Sequence, residues 1–118
     1  MEQGKIIAAY KTLAALNRKP GLPFSVVQKL FQKKKELEPF YQMQTEQEIV
    51  IIEASGQTLD DYKITPELKK ELFVLSKSDV IYDGKPVDIT VTGDIAEKLG
   101  LTAEMLEYLD GFVTFTEG

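Results

Sequence analysis

Apolar residues in the first third of the chain recur at the spacing of a helix face. Ile6, Tyr10, Leu13 and Leu16 stand four, three and three residues apart, on one side of a helix with 3.6 residues per turn. The run "RKPGLP" from Arg18 to Pro23 then places two prolines and a glycine together, and no helix continues through it. A second stripe opens near Phe24 or Ser25 and carries Val27, Leu30, Phe31, Leu37 and Tyr41. Lys34 interrupts it, but a lysine stem lies along an apolar seam while its ammonium reaches water. The connection is long enough only for a turn. The two helices are therefore expected to form an antiparallel hairpin, spanning 4–56.

Pro39 falls inside the second stripe. There it removes one backbone hydrogen bond and crowds the carbonyl of Lys35, at a cost of about 3 kcal/mol. Two outcomes are open: one helix kinked at Pro39, or a new helix that starts there. The polar "QMQTEQE" extends the helical pattern, and the β-branched "EIVIIE" is taken as helix to about Glu53, with Gly56 as its stop. "SGQTLDDY" reads as a loop. "ITPELKKEL" has the marks of a helix start: Thr65 as cap, Pro66 at the first position, Glu67 in the first turn. Downstream, Leu68, Leu72, Leu75, Asp79 and Tyr82 keep the helical spacing and favour one long helix ended by Gly84 and Pro86. The competing reading is an Asp-Gly hairpin at "IYDGKP".

"VDITVT" alternates Val87, Ile89 and Val91 with polar residues, as a half-buried strand does. "GDIAEKLG" predicts a short helix with Asp94 and Glu97 as a capping box and Gly100 as its end. "LTAEMLEYLDG" predicts another, capped by Thr102, with Leu101 and Leu106 as a hydrophobic staple. "FVTF" at Phe112–Phe115 is a final strand. A lone strand lacks a ladder partner, so 87–92 and 112–116 are expected to pair with each other or with the N-terminal residues. If they are parallel neighbours, the helices between them form the crossover. "ITPELKKEL" and "LTAEMLEYL" echo each other, which two independently capped helices produce without duplication. The expected fold class is α+β. A helical hairpin and a third helix pack with a small two- or three-stranded sheet near the C-terminus, and 64–118 completes a single domain over 1–118.

Composition narrows the chemistry. The chain has 118 residues, no cysteine and no histidine. Disulfides, thiolate nucleophiles, Ser-His-Asp devices and His- or Cys-ligated metals are thereby excluded. The acids lack the spacing of a calcium loop, and no glycine-rich phosphate loop is present. No cofactor, metal or small-molecule substrate is expected, and no enzymatic activity. No apolar run approaches the ~18–20 residues of a membrane span, and the N-terminus lacks the pattern of a secretory signal. The expected setting is the cytoplasm.

Charge is unevenly spread. Residues 1–35 hold eight Lys/Arg and one acid, a net of +7, whereas residues 36–118 hold six Lys/Arg and eighteen acids, a net of −12. Such halves suit either internal pairing or contact with a partner or a second copy. The triplet Lys33, Lys34 and Lys35 is the densest basic point, but three consecutive helical residues splay around the axis instead of forming a phosphate-binding stripe.

In order along the chain, Ala9-Tyr10-x-x-Leu13-x-x-Leu16, the turn at Leu22-Pro23, Leu30 and Leu37-Glu38-Pro39 are followed by an alternating strand and a terminal helix. This composite resembles a family of small proteins of unknown function from tailed phages and prophages of Gram-positive bacteria. The chain departs from that pattern by lacking an alternating strand before the first helix and by a shorter middle. The resemblance implies a phage or prophage origin, in the host cytoplasm or the virion, and supplies no catalytic residue. With it, the chain is expected to act through protein–protein contacts, in virion assembly or an accessory step. The candidate contact face is Phe31, Leu37, Phe40 and Tyr41, with Lys33, Lys34 and Lys35 at its rim, since aromatics favour contact centres and charges their edges. The alternatives are a nucleic-acid-associated module using the basic first third, and an acidic inhibitor of a host protein.

Overall fold

A computed structural model describes residues 1–118. Its elements are α1 (Gln3–Leu16), α2 (Phe24–Ala54), α3 (Pro66–Ser76), β1 (Val87–Val91), α4 (Gly93–Leu99), α5 (Ala103–Leu109) and β2 (Val113–Glu117). The fold is α+β: five helices and one two-stranded sheet.

α1 lies along the first half of α2. Ile6, Ala9, Leu13 and Leu16 from α1 meet Val26, Leu30 and Leu37 from α2, all 5% exposed or less. The same core takes in Ile89, Leu99, Leu109, Phe112 and Val113. Tyr10 stacks on Tyr41 with ring centroids 4.5 Å apart. Further along, Ile52 and Leu68 are buried where α3 packs on the end of α2.

α2 runs unbroken through Pro39. The proline and Lys35, whose carbonyl loses its partner, are both exposed, so water can take the vacant acceptor. Leu37 before the proline and Phe40 after it pack into or against the core. Burial on both sides offsets the local cost, so one helix spans the position. It ends at Ala54, and Gly56 follows at φ 85°.

Thr65 accepts a hydrogen bond from the Leu68 amide and Pro66 opens α3, as the sequence implies. Neither reading of the following segment holds. α3 stops at Ser76, and residues 79–86 form neither helix nor hairpin. The hydroxyls of Ser76 and Ser78 donate to the carbonyls of Phe73 and Val74, satisfying the last turn. The N-terminal residues then take the backbone that would have continued it. The Gln3 amide donates to the Ser78 carbonyl at 2.8 Å, and the Val80 amide donates to the Met1 carbonyl at 2.8 Å. Competing main-chain pairing, with no defect in the helical spacing, ends α3.

β1 and β2 are parallel, paired from Val87↔Val113 to Val91↔Glu117, with α4 and α5 between them. The N-terminal residues do not join this sheet; Glu2 bridges to Asp79 instead. Two details of the short helices also differ. α4 is capped by Thr92, not Asp94, because Thr92 accepts from the Ile95 amide, and Asp94 instead pairs with Lys98 at 3.0 Å. Leu106 is 47% exposed and closes no staple with Leu101, which turns toward the core. Thr102 caps α5 and Gly100 ends α4 at φ 60°, both as expected.

Candidate functional site

The seven residues expected to form one contact face separate into three environments. Leu37 is fully buried in the core and Lys33 is 2% exposed, so neither can contact a partner. Phe40 is half-buried edge-on to Tyr82, and Tyr41 is half-buried against Tyr10. Phe31, at 47% exposed, and Lys35 face outward, and Lys34 is half-exposed. The error has a physical origin. Tyr82, Gly84 and Lys85 lie against Lys33, Glu36 and Phe40 of α2, and the main core takes Leu37, so a face that helical spacing alone leaves open is covered.

Lys33 is the centre of that contact. Its ammonium donates to Glu36 Oε2 at 2.6 Å, to the Tyr82 hydroxyl at 3.0 Å and to the Lys85 carbonyl at 2.6 Å. Three donors meet three acceptors, which satisfies the buried cation. Burial disfavours its charge, but the Glu36 hydrogen bond and then the Tyr82 hydrogen bond outweigh it, and the pKa rises above the ordinary lysine value. Burial also raises the Tyr82 pKa, against the opposing pull of Lys33. Gly84 completes the clamp, since a Cβ there would run into Glu36 Oε1 and the Tyr82 ring. Gly84→Ala is expected to destabilise the fold by about 1–3 kcal/mol through this overlap. Urea denaturation measures it, and an unchanged midpoint would mean that residues 82–86 shift freely off α2.

Two other lysines are also engaged. Lys29 donates to the Asp88 carbonyl of β1 at 2.7 Å, and Lys35 pairs with Glu38 at 3.0 Å. Of the lysine triplet, only Lys34 has no acidic partner within the chain.

One apolar feature that faces outward lies at the elbow between α1 and α2. A groove of about 640 Å³ is lined by Ala14, Asn17 and Arg18 from the end of α1 and its turn, and by Phe24, Val27 and Phe31 from α2. Gln28, Gln32 and Lys34 complete the lining. Phe24 is 77% exposed at the first position of α2. Positions 24, 27 and 31 recur at helical spacing and form a second stripe, offset from the Leu30–Leu37 stripe that enters the core. From the sequence, Phe31 falls both in the apolar stripe and in the contact face, Val27 falls in the stripe alone, and Phe24 marks only the start of the helix. The signal was present in the phase of the pattern, because two stripes on one helix imply two contacts.

No cluster of three or more His, Cys, Asp or Glu side chains is arranged to hold a metal ion. No helix is long and apolar enough to cross a membrane. No protein-family model matches the chain, and comparison with curated proteins and with solved structures returns no match either.

Proposed function

We propose that this is a non-enzymatic contact protein whose working surface is the elbow groove, carried on α1 and α2 as an antiparallel hairpin. The observation that supports it is the exposure of Phe24 and Phe31 along one groove flanked by Arg18 and Lys34. Apolar aromatics left in water beside cations match the composition of contact centres and rims. A phage or prophage setting, in virion assembly or an accessory step, follows from the ordered resemblance of the chain's motifs.

A protein partner fits this surface better than nucleic acid. Lys29, Lys33 and Lys35 are engaged within the chain, and Lys11, Arg18 and Lys34 stand together beside an apolar floor. A phosphate backbone is tracked by a longer run of free cations than these three.

The test places a photoreactive phenylalanine analogue at Phe24 or at Gln28 in cells that make the protein. Thr114, on the polar face of the sheet, is the control. A discrete protein adduct at the two groove positions and none at the control is the expected result. Equal labelling at all three, or none in the groove, overturns the reading.

A further inference from the structure

Resting on the reading of the elbow groove as a protein-contact surface, we propose that its occupant is the far end of a second copy of this chain, which makes the contact head-to-tail. The far end carries its own apolar groove. Ile51 near the end of α2 and Val74 of α3 form its floor, and Glu67, Glu71 and Lys70 stand around it, in a space of about 550 Å³. Val74 is 59% exposed, and Phe73 beside it is 60% exposed. An apolar floor with two acids and one lysine thus stands at one end of α2, and an apolar floor with two cations at the other.

The charges are available for pairing. Arg18 and Lys34 at the elbow, and Glu67 and Glu71 at the far end, take part in none of the chain's five ion pairs. The net signs are complementary between the grooves: two cations at the elbow, and two acids with one lysine, Lys70, at the far end. Two elbow grooves placed face to face would oppose cations to cations, which a two-fold contact between them cannot avoid. Separation excludes internal pairing. Val27 and Ile51 are 24 residues apart on one helix, about 36 Å at 1.5 Å per residue, in a molecule 53 Å long. The acidic groove therefore cannot reach the basic one within a single copy. A contact between two different patches is heterologous, so each added copy leaves one free groove of each kind and assembly continues into a ring or a filament.

The test is light scattering of the purified chain at rising concentration, up to about 1 mM so that even a weak contact fills. At about 20 mM salt the average mass is expected to exceed that of a dimer, and about 0.5 M salt returns it toward the monomer. Two charge-reversed chains then decide the geometry. Arg18→Glu/Lys34→Glu has two acidic grooves, and Glu67→Lys/Glu71→Lys has two in which cations dominate, so each is expected to stay monomeric alone. Mixed in equal amounts, every junction in an alternating array is complementary again, and the mass is expected to return to that of the unmodified chain. Circular dichroism of each variant confirms folding, since all four side chains lie outside the core. A monomer at every concentration overturns the proposal, as do variants that assemble alone or a mixture no larger than its parts. A monomeric chain that still gives an adduct to another protein at Phe24 discards the second copy and keeps the groove. A monomer with no groove adduct discards both.

Discussion

Lys33→Ala is expected to lower the stability of the fold by about 3 kcal/mol, from two contributions. The truncated stem leaves a void in a site only 2% exposed. The Lys85 carbonyl, the Tyr82 hydroxyl and Glu36 together lose a donor that each now contacts within 3.0 Å. Glu36 is 40% exposed and recovers much of its hydration, which holds the cost below that of a fully buried pair. Lys33→Met keeps the stem and separates the contributions; it is expected to cost about half as much. Urea denaturation of the three proteins measures both. A Met variant as stable as the parent would mean that the ammonium adds only specificity of docking.

The pH dependence gives an independent reading. The Lys33 pKa is raised in the folded state, so its stabilisation is present in full at neutral pH. It is lost as pH climbs through the folded value, above the ordinary 10.5. Tyr82 is likewise raised, and a folded state that holds its proton more tightly also loses stability with rising pH, above about 10. The two act in the same direction. Lys33→Met removes the lysine's share and also the pull that lowers Tyr82, so the Tyr82 phenol is expected to ionise at higher pH in the variant than in the parent, read by ultraviolet titration against Tyr82→Phe. An unchanged Tyr82 titration would mean that the ammonium does not reach the hydroxyl in solution.

How much of this was legible beforehand follows from which interactions are local. The caps at Thr65 and Thr102, the stop at Gly100 and the end of α2 near Gly56 depend on residues within a turn of one another, and spacing reveals them. The strand at Val87–Val91 shows in its alternation. What the spacing could not reveal lies in the partner of each face. Residues 79–86 keep a helical rhythm, yet Met1–Gln3 pair with Ser78 and Val80 across more than seventy residues. Lys33 looks like one of three surface lysines because nothing nearby in sequence announces Tyr82 or the Lys85 carbonyl. The candidate face divides for the same reason: Leu37 and Lys33 are buried, while Phe31, Lys34 and Lys35 remain outward. One stripe on α2 was assigned one role, whereas Leu37 enters the core and Phe31 belongs to the stripe of the elbow groove.

That division makes the second large prediction. Leu37→Ala is expected to cost about 2–5 kcal/mol, because its side chain is fully buried among α1, α2 and sheet residues and its removal leaves a cavity. Phe31→Ala is expected to cost less than about 1 kcal/mol, since nearly half of the residue is already in water. The contrast reverses for function. Phe31→Ala removes part of the groove floor and is expected to reduce the Phe24 adduct and the concentration-dependent mass, while the urea midpoint hardly moves. Leu37→Ala lies outside the groove, so in the fraction that remains folded both contact readouts are expected to persist. Equal stability losses from the two variants would mean that α2 presents one surface, covered in the folded chain, and that Phe31 packs inward in solution. Loss of contact without loss of stability, confined to Phe31, assigns the core and the groove to different faces of the same helix.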